Sequence, residues 1–219
     1  MKPKTVFFDV NETLLDLNPL KVSVENYLNN EPHLAELWFS KMLHYSLVLN
    51  ETLQFQTFDK IALAVLEMIC DAHNISFSKA EAKETLSTIK KLPAHQDVKP
   101  GLLKLKENGF QLKAISNGSQ EVLETQLAYA ELTSLFDEII SVEKFQTYKP
   151  SQKVYRQIQP KSIEAEECLL VAAHAWDLMG ANSCGWQTAF VKRESKSWFP
   201  LAEKPTYNIK NIEELADLL

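Results

Sequence analysis

The sequence predicts an α/β fold: a parallel sheet covered by helices, with a helical block inserted after the first strand. Three observations carry this. Thr5 to Val10 (TVFFDV) is an apolar, β-rich run that reaches an acid at Asp9. Through residues 17–96 the apolar positions recur at steps of three and four, the spacing of amphipathic helices. All five glycines (Gly101, Gly109, Gly118, Gly180 and Gly185) lie beyond residue 100, where strand-like and helix-like segments alternate. Alternation with near-continuous apolar strands is the pattern of a parallel sheet buried on both faces. The first strand has no partner in the helical block, so it belongs to that sheet. The expected division is therefore 1–16 with 97–219 as the α/β core, and 17–96 as the helical insertion.

Taken in order, the insertion reads as a helix through Leu34, Leu37, Trp38, Met42, Tyr45 and Leu49, then one through Phe58, Ile61, Val65 and Ile69. Ser78-Lys79-Ala80-Glu81 has the form of a capping box and opens a helix running towards Leu92. Pro93 and Pro100 bound the block. Gly101 to Asn108 predicts a helix stopped by Gly109. Phe110 to Ile115 predicts a strand, and Glu121 to Leu132 a helix. Phe136 to Ser141 is strand-like, and Pro150 opens a helix through Val154 and Tyr155. Cys168 to Ala173 predicts a strand, followed by a helix from about Asp177 towards Gly185. Thr188 to Lys192 is the last clear strand, and Asn211-Ile212-Glu213-Glu214 caps a terminal helix.

The 219 residues carry 23 basic and 29 acidic side chains, a net charge of −6, which argues against a broad nucleic-acid or anionic-membrane footprint. No apolar run approaches the ~18 residues of a membrane span. Three cysteines without CxxC spacing, and a start without the form of a signal peptide, lead to the expectation of a cytoplasmic, free-thiol protein. Trp186, Trp198 and Phe199 mark a packing edge or the surface of a homodimer. His33, His44, His73 and His95 are scattered without metal-ligand spacing.

Ligands of open parallel sheets bind outside the carboxyl ends of the strands. Four such ends carry polar residues: Asp9 with Asn11 and Thr13; Ser116 with Asn117; Lys149; and His174 with Asp177. One acid at a strand end is as readily a turn cap as a reactive group. Four polar strand ends together make a site. A lysine beside a buried carboxylate keeps it ionised and nucleophilic, and the Thr13 and Ser116 hydroxyls can donate to an anion.

FFDVNETLLD, AISNGS, YKP and VAAHAWDLMGA resemble the four motifs of the haloacid dehalogenase (HAD) superfamily of hydrolases. The insertion after the first motif, and Trp176-Asp177 before Gly180-Ala181, are most similar to its type II 2-haloacid dehalogenase branch. The resemblance runs from about Thr5 to Lys192. It implies a Rossmann-like core with the insertion as a helical cap domain. It also implies Asp9 as nucleophile, Thr13 as its hydrogen-bond partner and Lys149 as its counter-ion. Ser116 and Asn117 would hold the substrate's anionic or leaving group, Asp177 would order the hydrolytic machinery, and Tyr155 and Trp176 would belong to the substrate pocket.

The departures are as informative. Superfamily phosphatases read DxDxT, with the second aspartate as general acid; here that position is Asn11, which has no proton to give. The dehalogenase branch usually has tyrosine there. The next acid of the phosphatase Mg²⁺ site is replaced by Ala172 or Ala173. Phe39, in WFSKMLHYS, stands where the dehalogenase branch has an arginine, a loss of one full charge and five donors. His174 replaces the branch's asparagine; the simpler reading is a hydrogen-bonding substitute, the alternative an activator of the hydrolytic water. The expected function is a hydrolase acting on a small molecule through an aspartyl ester. It is most like a metal-independent 2-haloacid dehalogenase and needs no cofactor. A Mg²⁺-dependent small-molecule phosphatase and a non-catalytic binding protein are the alternatives.

Overall fold

The computed structural model describes residues 1–219. Strands β1 (Thr5–Asp9), β2 (Gln111–Ser116), β3 (Glu138–Ser141), β4 (Cys168–Ala172), β5 (Gln187–Val191) and β6 (Tyr207–Ile209) form one sheet in the order β3-β2-β1-β4-β5-β6. Every pairing is parallel. β1 lies inside the sheet, with Phe8 opposite Ala114 on one side and Val171 on the other. All five of its residues are buried, which is why its sequence is apolar until Asp9. The strand order reverses between β1 and β4, and at such a point the flanking connections diverge and leave a crevice at the carboxyl ends.

The insertion consists of α1 (Asn18–Tyr27), α2 (Pro32–Glu51), α3 (Phe58–Ala72) and α4 (Lys79–Ser87), with a 3₁₀ turn at Thr88–Lys91. α2 turns Leu34, Trp38 and Met42 inward, and α3 turns Ile61, Val65 and Ile69 inward. Trp38 Nε1 donates to the Ala62 carbonyl at 2.9 Å, tying the two helices together without leaving the indole N–H unpaired. Their apolar residues join Val6, Phe8 and Ala114 of the sheet in one hydrophobic cluster. The other sheet face packs Phe7, Ile115 and Leu170 against α7 (Gln152–Ile158) and α8 (Ala175–Asn182).

Several boundaries differ from expectation for local reasons. Ser78 Oγ caps α4 by accepting from Glu81 N, but its own N–H is taken by the Tyr27 hydroxyl at 2.9 Å, so only half the capping box forms. The helix ends at Ser87, short of Leu92, and tightens into the 3₁₀ turn. The helix expected from Gly101, α5 (Val98–Glu107), starts three residues earlier. Pro100 falls in its first turn, where a missing N–H breaks no helical bond. α6 (Gln120–Tyr129) ends before Leu132 because Glu131 adopts φ 56°. Pro150 does not open a helix. A Ser151 N–H to Tyr148 carbonyl turn intervenes, and α7 begins at Gln152. β6, three residues long and lacking an apolar run, was not foreseen. The terminal helix α9 (Ile212–Leu218) has the expected cap, Asn211 Oδ1 accepting from Glu214 N at 2.8 Å.

Among the C-terminal aromatics, Trp186 is a packing residue, buried with its ring centroid 4.5 Å from that of Phe7. Trp198 stands edge-on to Phe190, and Phe199 is the exposed member. No helix is long and apolar enough to cross a membrane.

Candidate active site

The crevice at the end of β1 contains a tight turn, Asn11 to Leu14, closed by Leu14 N–H and Leu15 N–H on the Val10 carbonyl. Glu12 takes a left-handed conformation in it, φ 63°, a strained setting for a residue with a Cβ. Arg193 braces the turn by donating to the Thr13 carbonyl at 3.0 Å while gripping Asp97 with both terminal nitrogens. This turn folds Thr13 back onto Asp9. The Thr13 hydroxyl donates to Asp9 Oδ2 at 2.6 Å and accepts from Ala173 N at 2.9 Å, so one hydroxyl links the ends of β1 and β4.

Lys149 occupies the centre. Its ammonium donates to Asp9 Oδ1 at 2.6 Å and to Asp177 Oδ2 at 2.7 Å, and all three side chains are buried. Asn117 positions the lysine from below, its Oδ1 accepting from Lys149 N at 2.8 Å. Burial alone would raise the Asp9 carboxyl, but Lys149 and His174 overcome it and hold the group well below the usual carboxylate range. Asp177 moves the other way. Its burial, and the nearby Asp9 charge, outweigh a lysine that it must share. The opposed directions give an ionised Asp9 and a more easily protonated Asp177 around one ammonium.

Tyr155 does not line the pocket. It is completely buried behind Asp177, donating its hydroxyl to Asp177 Oδ1 at 2.5 Å. Gly180 makes room for it: a Cβ there would lie 2.5 Å from Tyr155 Cε2. The other expected residues, Asp9, Asn11, Phe39, Ser116, Asn117, Lys149, His174 and Trp176, do meet around one cavity of about 130 Å³. Its far wall, from the insertion, is largely apolar, with Leu20, Trp38, Phe39, Met42 and Phe58, and carries one acid, Asp59. Only Lys149 and His174 among the lining residues bear or can acquire positive charge, and both already contact carboxylates.

Two features escaped the sequence reading. Asn11 is held by Gln126 Nε2 on its Oδ1 at 2.8 Å, a fully buried glutamine reaching in from α6. More consequentially, Glu12 is a buried carboxylate that gathers three cationic groups: Lys21 Nζ at 2.5 Å, Lys196 Nζ at 2.6 Å and His174 Nε2 at 2.8 Å. His174 Nδ1 then faces Asp9 Oδ2 at 3.4 Å. Burial would lower the imidazole, but Asp9 and Glu12 on its two nitrogens raise it above its usual value. The only hint in the sequence was a second acid three residues after Asp9.

The donor set does not match Mg²⁺, which prefers an open octahedron of oxygen ligands. The Asp9 and Asp177 oxygens are engaged by Lys149, Thr13 and Tyr155, with His174 beside Asp9. Ala172 and Ala173 add no acid, and no group of three His, Cys, Asp or Glu side chains is arranged for a metal.

The chain matches the family model of haloacid dehalogenase-like hydrolases over residues 6–191. It is 28% identical to an (S)-2-haloacid dehalogenase of Pseudomonas fluorescens, over 97% of this chain and 94% of that protein. An (S)-2-haloacid dehalogenase of Pseudomonas putida is 26% identical, over 98% and 95% of the two chains. The solved L-2-haloacid dehalogenase of Xanthobacter autotrophicus shares the fold, with a TM-score of 0.90, 22% identity and 99% and 98% coverage. With the family model spanning most of its length and the residues of the four motif segments gathered at the switch point of its parallel sheet, the chain belongs to the haloacid dehalogenase-like hydrolases.

Proposed function

We propose that this hydrolase cleaves a carbon–halogen bond through an ester on Asp9, with α1 to α4 acting as the cap over the site. The observation that carries the reading is the state of Asp9: ionised, on the cavity wall, and fixed by Lys149 and Thr13. Oδ2 accepts from Thr13 and faces His174, whereas Oδ1 has Lys149 alone. Oδ1 therefore keeps the freer lone pair and is the attacking atom. It displaces the leaving group from the opposite side, inverting the carbon; the carbon–halogen pair departs with the halide. Water then adds at Asp9 Cγ, and the alkyl oxygen leaves as the alcohol.

The (S)-2-haloacid dehalogenases among the relatives support this substrate class. The amide at Asn11 supports it too, since phosphomonoester cleavage would want an acid there. The three free cysteines are consistent with a reducing, cytoplasmic setting. The test is a single turnover of (S)-2-bromopropionate with excess enzyme in heavy-oxygen water. The label is expected in Asp9, because the product oxygen comes from the carboxylate. Label in the first-turnover product overturns the covalent route.

A further inference from the structure

We infer that His174 is a catalytic residue for the second half-reaction, donating from Nδ1 to the oxyanion that forms on Asp9 Oδ2 when water adds, and that Glu12 is its positioning residue. This rests on the ester route proposed above. It follows from which atom of Asp9 each neighbour touches. If Oδ1 carries the alkyl group, Oδ2 becomes the ester carbonyl oxygen. Water addition at Cγ moves the carbonyl π pair onto Oδ2. Two donors already stand there: the Thr13 hydroxyl at 2.6 Å and His174 Nδ1 at 3.4 Å.

The histidine is built in. It is buried, its ring packs against Trp176 at an interplanar angle of 30° with centroids 5.3 Å apart, and Nε2 meets Glu12 at 2.8 Å. Glu12 is ionised, since Lys21 and Lys196 also donate to it, so Nε2 must be a donor. With carboxylates on both nitrogens the ring holds both protons, as its raised affinity for them agrees. Esterification removes the Asp9 charge but leaves the Glu12 charge, so the ring stays anchored and aimed. A preorganised donor pays little reorganisation at the moment charge develops. The 3.4 Å separation is longer than a finished hydrogen bond, and a growing oxyanion draws the N–H inward.

The step balances without another reactant. The water oxygen bonds to Cγ and the oxyanion sits between Thr13 and His174. Collapse restores the carbonyl and breaks the bond from Cγ to the alkyl oxygen. That oxygen keeps the pair and takes one water proton to become the alcohol; the second water proton is released as Asp9 returns to carboxylate. Glu12 therefore has a function that justifies its strained backbone: it fixes the one cation that contacts the oxygen where charge appears.

Rapid mixing with bromoacetate separates the half-reactions. His174→Ala is expected still to release a burst of one bromide per folded active site, slowed far less than the decay of the ester because Lys149 and Thr13 remain on Asp9. Ester decay then follows about 100-fold slower or more, the loss seen on removing one oxyanion donor, and the alkylated Asp9 peptide accumulates by mass. His174→Asn, which keeps a neutral donor, is expected to recover part of the decay rate. Glu12→Gln keeps the burst and slows decay. Its decay rate is expected to fall at a lower pH than that of the wild type, because in the ester Glu12 is the carboxylate that keeps the ring protonated, with Lys21 and Lys196 standing on Glu12 itself. A purely structural defect lowers burst and decay together, and that result in both His174 variants overturns the inference, as does unchanged decay in His174→Ala. If the wild type forms no Asp9 ester at all, the ester route falls and this assignment falls with it.

Discussion

Tyr155 donates its hydroxyl to Asp177 Oδ1 at 2.5 Å from a position with no access to the cavity, so it acts on the reaction only through that carboxylate. Tyr155→Phe removes the donor and keeps the ring packing, including the edge-on contact with Trp186. A hydrogen bond to a charged group contributes about 1.5–3 kcal/mol. The variant is expected to lose that much stability, read as a lower urea midpoint at constant m-value. KM should stay within about threefold, because nothing lining the pocket changes. A large rise in KM with unchanged stability would mean that Tyr155 reaches substrate after all.

Lys149 neutralises two buried carboxylates at once, so its removal is more damaging than that of either partner. Lys149→Met is expected to cost about 3–5 kcal/mol at neutral pH, the range for breaking a buried pair from one side, and to abolish turnover. Adding Asp9→Asn to Lys149→Met should restore part of the stability and none of the activity. A double-mutant cycle by chemical denaturation measures this. Strict additivity of the two losses would show that the pair is not coupled.

Much of this was legible in the sequence, and the boundary of legibility has a physical basis. β1 and β4 read clearly because strands buried on both faces tolerate only apolar residues, and the acids at or just beyond their ends stand out. Asp9, Thr13, Lys149 and Asp177 meet as the motif spacing implied. What did not read were pairings made by tertiary approach. Nothing in its residue type or neighbours marks Glu12 in the sequence, yet it is buried by Lys21 from α1, Lys196 from the segment after β5 and His174 from the end of β4. Residue type gave no sign that chain segments so far apart would converge on it. Tyr155 was placed in the pocket because its position matched a pattern; only packing shows that Asp177 stands in front of it. β6 has three residues and an edge position, too little sequence to carry a period.

The charge cluster fixes how stability depends on pH. Asp9 and Glu12 are both shifted down in the folded state. In each, burial opposes the shift and is overcome, for Asp9 by Lys149 and His174, for Glu12 by His174, Lys196 and Lys21. Their contribution is present above the ordinary carboxylate value and is lost as pH falls below about 4.5 towards the folded values. His174 is shifted up, against its burial, by Asp9 and Glu12. Its contribution is full below its ordinary value of 6.5 and is lost as pH rises through the higher folded one. Asp177, shifted up chiefly by burial, has the opposite sign to Asp9: its cost appears as pH rises. Thermal melts are therefore expected to show a maximum in the weakly acid range. Glu12→Gln should flatten both limbs, since it removes one depressed acid and half of the charge that holds the histidine. A melt profile for Glu12→Gln parallel to the wild type would contradict this account of the cluster.

The last prediction concerns the wall facing Asp9. Phe39 lines the cavity, and Lys21 has its ammonium 6.0 Å from the Phe39 ring centroid but is committed to Glu12. A substrate carboxylate thus finds no uncommitted positive group there: the lining offers dipoles from Ser116, Asn117 and the start of α6, and the carboxylate of Asp59 on the insertion side. Phe39→Arg supplies one. A charge-assisted, bidentate hydrogen bond is worth about 1.5–3 kcal/mol, so KM for bromoacetate should fall by roughly ten- to a hundredfold with kcat within about threefold. The uncharged bromoacetamide has no carboxylate to be gripped, and its KM should stay level or rise as the apolar ring is lost. Steady-state kinetics on the two compounds reads the difference directly. Parallel changes in both KM values would mean that residue 39 shapes the pocket without selecting for charge. A divergence confined to bromoacetate means that the charge of the preferred substrate is decided on the insertion, while the chemistry stays with Asp9 and the groups that hold it.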